Sequence, residues 1–259
     1  MPHYDFRTPR IYLDRPLGTG QAVSFDRAQA NYLLNVLRLK RGDAVLLFNG
    51  RDGEWQAELA DSGKRTPMAI LGERRRKQPE PADLHFMFAP LKHARLDYMV
   101  QKAVEMGVSR LQPVLTRHTQ VARVNVERMR ANVVEAAQQC GVLHLPEVAA
   151  PASLASAIAK ADPGRLLIFC DEDAEVKDPV AALSAMRPDK TVLLPDAMQR
   201  PSLAVLIGPE GGFDETERRS LSKNPNVVRI ALGPRILRAD TAAVAALALV
   251  QAVLGDWRK

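Results

Sequence analysis

The N-terminal part of the chain, to residue 73, carries short apolar or alternating segments separated by glycine-bearing turns. Ala44–Phe48 is apolar and is followed by the turn pair Asn49-Gly50, and residues 55–59 alternate between apolar and polar positions. Such segments are typical of β-strands joined by tight turns. Leucines recur at helical spacing in residues 27–37, which predicts one helix there. The pattern predicts a small β-barrel over residues 1–73.

Residues 74–82 break this pattern. They contain the basic run Arg74-Arg75-Arg76-Lys77 and the prolines Pro79 and Pro81. Proline lacks the backbone donor that regular structure needs, and clustered like charges tend to stay solvated. The segment is therefore predicted to be a linker, which places a second domain at residues 83–259.

The second domain alternates apolar strand patterns with amphipathic helix patterns. Strands are predicted at residues 84–89, 111–115, 165–170, 204–207 and 227–231, and helices at residues 95–106, 126–140 and 241–253. This alternation is typical of an α/β domain with a mainly parallel sheet.

Composition narrows the class of protein. Hydrophobic residues make up 46% and charged residues 25%, as in a globular fold, and no apolar run is long enough to cross a bilayer, so no membrane partner is expected. The two cysteines, Cys140 and Cys170, form no Cys-x-x-Cys motif, and no histidine and cysteine cluster indicates a metal site. We expect two buried thiols in a reducing cytoplasm and no bound metal.

The net charge of +6 favours polyanionic partners such as nucleic acid. Arg38, Lys40 and Arg41 lie close together in the sequence and are candidates for contact with a phosphate backbone. A solvated basic surface is an equally good explanation of the same three residues.

A glycine-rich segment, Gly208-Pro209-Glu210-Gly211-Gly212, follows the strand predicted at residues 204–207. Glycine allows close backbone approach to a ligand, and ligands of open α/β sheets bind beyond the carboxyl ends of the strands. The segment lacks the Gly-Lys-Ser/Thr ending of a P-loop and the Gly-x-Gly-x-x-Gly fingerprint. An ordinary strand-to-helix turn remains the alternative.

A second segment of this kind follows the strand predicted at residues 227–231. It contains Gly233-Pro234, two arginines and then Asp240-Thr241 at the start of an alanine-rich helix. Asp240 could simply be the N-cap of that helix. Two such loops after two strands of one sheet are expected to come from adjacent strand ends and to form one concave site.

Together these segments resemble the RsmE family of 16S rRNA uridine-N3 methyltransferases in the SPOUT superfamily, and the resemblance covers nearly the whole chain. The matching motifs are residues 207–213, residues 232–238 with the acid-Thr-Ala that follows, residues 100–107 with Pro113, residues 135–139, residues 35–43 and residues 48–50. The two Gly-Pro segments are specific as a pair, and the other motifs occur in the same order as in the family.

The resemblance implies a PUA-like RNA-binding barrel at residues 1–73 and a trefoil-knotted SPOUT domain at residues 83–259. It implies a homodimer that uses S-adenosylmethionine to methylate N3 of a uridine in 16S rRNA of the small ribosomal subunit. Two alternatives stay open: a SPOUT enzyme that methylates the ribose 2′-oxygen of rRNA or tRNA, and a non-catalytic RNA-binding assembly factor.

The resemblance also implies the roles of individual residues. The cofactor-binding residues are Gly208, Pro209, Glu210, Gly211, Gly212, Leu232, Gly233, Ile236, Leu237, Arg238 and Thr241. Arg238 is expected to orient or stabilise the uracil anion, and Asp240 to act as the base or to organise it, with the N-cap role as the alternative for Asp240. Arg38, Lys40 and Arg41 become candidates for RNA contact.

The chain departs from the family pattern at three places. Asp240 stands where the family usually has glutamate, and no arginine follows residues 135–139, where the chain continues as Cys140-Gly141-Val142. Residues 187–202 are longer than usual. These departures concern fine geometry rather than the type of fold.

Overall fold

A computed structural model describes residues 5–60, 67–121, 123–175, 178–186 and 201–258, without the side chains of His93 and Arg258. Most of the long segment at residues 187–202 lies outside the described residues. The chain divides into two compact units: Met1–Glu80 with Ala137–Leu145, and Pro81–Ala136 with Pro146–Lys259.

The first unit contains five strands and one short helical segment. The strands are β1 (Arg10–Tyr12), β2 (Ala22–Ser24), β3 (Ala44–Phe48), β4 (Glu54–Ala60) and β5 (Met68–Arg76), in the order β1-β3-β4-β5-β2. The pair β1–β3 is parallel and the other pairs are antiparallel. Among the described strands the edges β1 and β2 do not pair, so the predicted barrel is observed as an open, half-barrel sheet.

The helical segment of the first unit begins as predicted. Helix α1 (Arg27–Asn31) starts with a capping box in which Asp26 and Gln29 satisfy each other's backbone N–H groups. It continues as a π-helical turn over Tyr32–Val36, in which Leu33 is fully buried. Leu33 packs into the same apolar core as Val45 and Leu47 of β3, so one buried leucine anchors this segment to the sheet.

The basic run does not form the predicted linker. Strand β5 continues through Arg76, whose Nη2 donates to Glu54 Oε1 at 2.7 Å, and Arg10 Nε donates to the same oxygen at 2.5 Å. The side chains of Arg10 and Glu54 are both 4% exposed. Burial alone would raise the pKa of Glu54, but the hydrogen bonds from Arg76 and Arg10 outweigh it and hold this pKa below its ordinary value. The prediction that a linker starts at residue 74 was therefore wrong. Strand β5 extends through Arg76 because this arginine pairs with the buried carboxylate of Glu54.

Residues Ala137–Leu145 join the first unit although the prediction placed them in the second domain. Gln138 Oε1 accepts a hydrogen bond from the backbone N–H of Tyr12 at 2.9 Å, and Arg76 donates to the backbone oxygen of Gly141. These are long-range contacts, so no local pattern announces them.

The second unit is built on a parallel sheet. Its strands are β6 (Leu84–Phe88), β7 (Arg110–Leu115), β8 (Glu147–Val148), β9 (Ala152–Ser153), β10 (Leu166–Cys170), β11 (Leu203–Ile207) and β12 (Val227–Ile230). Their order is β12-β10-β11-β6-β7-β8, with β9 paired to β7, and every pair is parallel. The predicted α/β class with a parallel sheet is confirmed.

Helices follow the strands of this sheet. They are α2 (His93–Glu105), α3 (Val126–Cys140), α4 (Leu154–Lys160), α5 (Pro179–Ala185), α6 (Glu215–Ser222) and α7 (Ala239–Val253), with a short 3-10 turn at Asp256–Arg258. Within the described residues, none of these helices has the length and apolar character needed to traverse a bilayer.

The two cysteines lie in different environments. Cys170, at the end of β10, is buried, and burial raises the pKa of its thiol to about 12. Cys140, at the end of α3, is exposed. The prediction of two buried thiols was therefore wrong for Cys140, because the last turn of α3 does not bury that position.

Candidate active site

The carboxyl ends of β6, β10, β11 and β12 lie at one edge of the parallel sheet, so the segments that follow them share that edge. Strand β10 lies between β11 and β12. The expectation that the two Gly-Pro segments follow adjacent strands was therefore wrong, and the segment after β10 begins between them. Sheet order depends on long-range pairing, which the local sequence pattern does not contain.

Packing explains the glycines that follow β11. A Cβ atom on Gly208 would lie 2.5 Å from the ring of Phe213, which is 3% exposed and packs edge-on against Phe169. Gly212 has a φ of +66°, and a Cβ there would lie 2.5 Å from a carboxylate oxygen of Glu172. Close approach and a left-handed backbone both require glycine at these positions.

The segment after β7 holds the glycine-rich loop. His118 Nδ1 lies 3.0 Å from the backbone oxygen of Gly211 and 3.2 Å from that of Gly212. Carbonyl oxygens only accept, so Nδ1 is the donor and carries the proton. The N–H of Arg117 donates to Glu217 Oε1 at 2.9 Å, and Glu217 forms a capping box with Asp214 at the start of α6. The segment after β7 therefore holds the glycine-rich segment and the start of α6 in place through hydrogen bonds.

Arg95 of α2 joins the two Gly-Pro segments. Its Nη1 donates to Glu210 Oε1 at 2.8 Å, while Nε and Nη2 donate to the two carboxylate oxygens of Asp240 at 2.9 and 3.2 Å. The guanidinium thus makes a bidentate pair with one segment and a single ion pair with the other. This one side chain brings together two acidic residues that the sequence singled out.

Asp240 is an ion-pair partner rather than a helix cap. The N-cap of α7 is Arg238, with an extended backbone, and Asp240 lies in the first turn, where its Oδ1 accepts from the N–H of Thr241. The hydrogen bond from Arg95 holds the pKa of Asp240 below its ordinary value. The carboxylate is therefore ionised at neutral pH and is a weak base there, so the arrangement favours the organising role over proton abstraction.

The segment after β12 presents exposed groups. Gly233 has a φ of +97° with open space beside it, and Ile236 is 91% exposed. Arg238 is also exposed, and within the described part of the chain its guanidinium has no hydrogen-bond partner. An exposed isoleucine beside an unpaired arginine offers an apolar and a cationic contact to an incoming ligand.

The predicted cofactor residues differ in exposure. Gly208, Leu232 and Leu237 are half-buried, Pro209 and Gly212 are buried, and Glu210, Gly211, Gly233, Ile236, Arg238 and Thr241 are exposed. The edge of the sheet therefore combines partly covered apolar groups with accessible polar ones.

The segment after β10 is acidic, with Asp171, Glu172 and Asp173 in succession. The side chain of Asp171 is fully buried, and it pairs with Arg229 at 2.7 Å and with Arg218 at 3.3 Å. Arg218 also pairs with Glu172 and Asp173. Arg218 of α6 and Arg229 of β12 therefore offset the charge of this segment and hold it in place.

The candidate RNA-contact residues lie in the first unit, after the π-helical turn. Arg38, Lys40 and Arg41 are exposed, and Arg38 has a φ of +58°. A left-handed conformation costs a residue with a Cβ roughly 1–2 kcal/mol. Such strain, held in place beside two further cations, is typical of a position with a functional role.

Comparison with known proteins identifies the family. The RNA methyltransferase domain matches residues 78–251, and the RNA methyltransferase PUA domain matches residues 25–67. Ribosomal RNA small subunit methyltransferase E of Synechocystis sp. is 33% identical over 236 residues, which cover 90% of this chain and 73% of the relative. This chain belongs to the ribosomal RNA small subunit methyltransferase E family. The member from Rickettsia conorii is 29% identical and covers 93% of this chain and 94% of the relative.

Two solved structures of similar fold support the same assignment. A putative methyltransferase from Legionella pneumophila, in complex with bound S-adenosylmethionine, aligns with a TM-score of 0.80 and 29% identity over 96% of this chain and 99% of its own. Ribosomal RNA small subunit methyltransferase E from Neisseria gonorrhoeae, bound to S-adenosylmethionine, aligns with a TM-score of 0.80 and 26% identity over 97% and 100%. The expected SPOUT-type α/β fold with an N-terminal PUA-like unit is confirmed.

Sequence reasoning did not identify Arg95 as part of the candidate site. Arg95 was assigned only to the start of a helix, and the structure places it in the first turn of α2, the helix that follows β6. An arginine in the first turn of the helix that follows a parallel strand, in a chain with acidic residues in two other loops, is the signal that could have identified it.

Gly208→Ala is expected to lower the free energy of unfolding by about 1–3 kcal/mol, because the new methyl group collides with the buried ring of Phe213. Chemical denaturation of the purified protein measures this change. The matched control is Gly164→Ala, since a Cβ there would lie 3.6 Å from its nearest neighbour, an Asp162 oxygen. Equal losses for the two variants would contradict the packing explanation.

Proposed function

We propose that this protein transfers a methyl group from S-adenosylmethionine to N3 of a uridine in 16S rRNA of the small ribosomal subunit. The observation that carries the proposal is the Arg95 bridge, which couples Glu210 of one Gly-Pro segment to Asp240 of the other. The names of the relatives support the rRNA substrate, and the two cofactor-bound structures support the methyl donor.

The residues at the sheet edge fit the cofactor. Leu232, Ile236 and Leu237 would supply an apolar slot for adenine. The backbone at Gly208, Pro209, Gly211, Gly212 and Gly233, with Glu210, Arg238 and Thr241, would bind the polar groups of the cofactor. The open space beside Gly233 and the 91% exposure of Ile236 support this fit. When bound, S-adenosylmethionine supplies an electrophilic methyl group on a sulfonium, whose departure needs little assistance.

The protein's task is mainly alignment and charge stabilisation. Uridine N3 would lose its proton to solvent and attack the methyl carbon in line with the departing sulfur, so the new N–C bond forms as the C–S bond breaks. This is mainly a positioning problem. Arg238, exposed and without an internal partner among the described residues, would stabilise the negative charge that develops on the uracil ring. Asp240, kept ionised by Arg95, would hold the start of α7 and thereby the position of Arg238.

The first unit would bind the RNA backbone. Arg38, Lys40 and Arg41 are exposed cations on the PUA-like unit, and each phosphate that they neutralise would release counterions. Their role adds affinity rather than base recognition.

The quaternary state and location complete the proposal. We propose that the protein works as a homodimer with a trefoil-knotted second unit, in the cytoplasm, with no membrane and no metal as partners.

Methylation of purified small subunits tests the proposed reaction. Wild-type protein, S-adenosylmethionine with an isotopically labelled methyl group, and subunits from a strain lacking this protein should give labelled 3-methyluridine after digestion to nucleosides. Labelled 2′-O-methylnucleoside instead would indicate the ribose-methylating alternative, and no label would favour the non-catalytic assembly factor. Parallel reactions with free 16S rRNA determine which form is the substrate.

A further inference from the structure

A pocket of about 450 Å³ lies in the second unit, at the start of the helix that carries Arg95. It is formed by residues at the start of α2 and by residues 121, 123, 125, 128 and 129, which lie before α3 and in its first turn. Its apolar lining comes from Leu91, Leu96, Val121 and Met129, of which Leu91 and Met129 are almost fully buried. The lining includes no residue of the two Gly-Pro segments, so the pocket is a separate place from the methyl-transfer site.

The rim of the pocket is cationic. Lys92, Arg123 and Arg128 line it together with a single carboxylate, Asp97. Arg128 donates to both oxygens of Asp97, and Asn132 donates to one of them, so this carboxylate is already satisfied. Lys92 and Arg123 are exposed, and within the described residues neither has an ion-pair partner. Two cations are therefore available to an anionic ligand.

The first turn of α2 adds to the positive potential. Lys92 is the N-cap of this 13-residue helix, and its side chain makes no capping hydrogen bond. The N–H groups of a helix's first turn lack partners within the helix and attract anions. The helix end thus supports the two free cations.

We propose that this pocket binds one unpaired nucleotide of the RNA substrate, next to the methyl acceptor. The inference rests on the proposed function. An apolar slot edged by cations matches a base with its phosphate, and proteins recognise single-stranded RNA by taking splayed-out bases into such slots. The volume falls within the usual range for small-ligand sites.

The pocket shares helix α2 with the methyl-transfer site, which supports a nucleotide near the methyl acceptor as the occupant. Leu96 and Asp97 line the pocket and directly follow Arg95, which contacts Glu210 and Asp240 at the methyl-transfer site. A base held here would fix the strand on one side of the acceptor. The pocket therefore contributes to the choice of uridine and not to the chemistry.

The test compares two kinds of variant with a matched control on small-subunit methylation. Lys92→Gln with Arg123→Gln removes the free cations, and Leu96→Trp fills the slot from a half-buried position. Each should raise KM for small subunits about tenfold, with kcat and the Kd for S-adenosylmethionine within about twofold of wild type. The double variant should also reduce the slope of log KM against log salt concentration, by an amount that corresponds to about two lost phosphate contacts.

Arg130→Gln is the control, because Arg130 is an exposed arginine of α3 that pairs with Glu127 and does not line the pocket. Its KM should stay within about twofold of wild type. Wild-type KM in the double variant and in Leu96→Trp, with active wild-type protein, would overturn the pocket while the proposed function stands. An increase in Arg130→Gln equal to that in the double variant would overturn it as a general charge effect. A wild-type protein that methylates no small-subunit RNA would overturn the proposed function itself.

Discussion

Replacing Arg95 with alanine is expected to lower kcat/KM for methyl transfer by about 100-fold. The variant removes three charge-assisted hydrogen bonds and leaves Glu210 and Asp240 without their shared cation. Losing such a bridge is expected to raise the activation free energy of methyl transfer by roughly 3 kcal/mol, and each 1.4 kcal/mol lowers the rate by about a factor of ten. Steady-state methylation of small subunits measures the rate, and calorimetry with S-adenosylmethionine measures how far the cofactor pocket loosens.

Two further experiments distinguish loss of the Arg95 bridge from other effects of the alanine substitution. They are the conservative variant Arg95→Lys and a double-mutant cycle with Asp240. Arg95→Lys keeps the charge but cannot make the bidentate pair with Asp240, so its loss should be intermediate. Arg95→Ala combined with Asp240→Ala should be less than additive, because both remove the same interaction. An Arg95→Ala variant within threefold of wild type, or a fully additive cycle, would contradict the role of the bridge.

Arg238→Ala is expected to lower kcat by about 100- to 1,000-fold and to raise the Kd for S-adenosylmethionine far less, because Arg238 would be one of many cofactor contacts. Removing a donor that stabilises charge developing in the transition state typically has an effect of this size. The free energy of unfolding should be unchanged, since Arg238 is exposed and caps α7 with its backbone only. Single-turnover methylation at saturating cofactor measures the chemical step.

Arg235→Ala provides the matched control for this substitution. Arg235 is an exposed arginine in the same segment, so it carries the same charge without the proposed contact to uracil. Its kcat should remain within about threefold of wild type. Near-native turnover of Arg238→Ala, or equal losses for the two arginines, would contradict a specific role for Arg238.

Local periodicity predicted the main elements of the second unit well. The helix at residues 126–140 is observed as Val126–Cys140, and the strands at residues 204–207 and 227–231 are observed as Leu203–Ile207 and Val227–Ile230. The helix buries one apolar face and the strand Leu203–Ile207 is buried throughout, so the apolar positions in the sequence indicate these elements directly. Short elements such as α4 and β8 have too few residues to show a period, and the sequence pattern did not predict them.

Sheet order and domain limits could not be predicted in this way. The insertion of β10 between β11 and β12 depends on strand pairing across the chain, as does the attachment of residues Ala137–Leu145 to the first unit. The extension of β5 through Arg76 depends on Glu54, which lies in another strand. Each of these features rests on a contact between distant residues, which no local window contains.

The candidate site could be predicted only in part, because its motifs are local and the contact that joins them is between distant residues. The glycines after β11 and the acid-Thr pair at α7 stand out as motifs, and the structure accounts for Gly208 and Gly212 by close packing. The link between the segments is a single arginine on a third element, so only the fold reveals it. Motifs thus identified the parts of the site, and tertiary structure identified how they are joined.

Nucleoside mass spectrometry of 16S rRNA tests the central claim most directly. RNA is compared from the parent strain, from a strain that lacks this protein, and from the deletion strain with the protein or its Arg238→Ala variant restored. We predict that 3-methyluridine disappears from 16S rRNA in the deletion strain, returns with the wild-type protein and does not return to its parental level with the variant. Unchanged 3-methyluridine in the deletion strain would contradict the assignment of uridine N3 as the methyl acceptor.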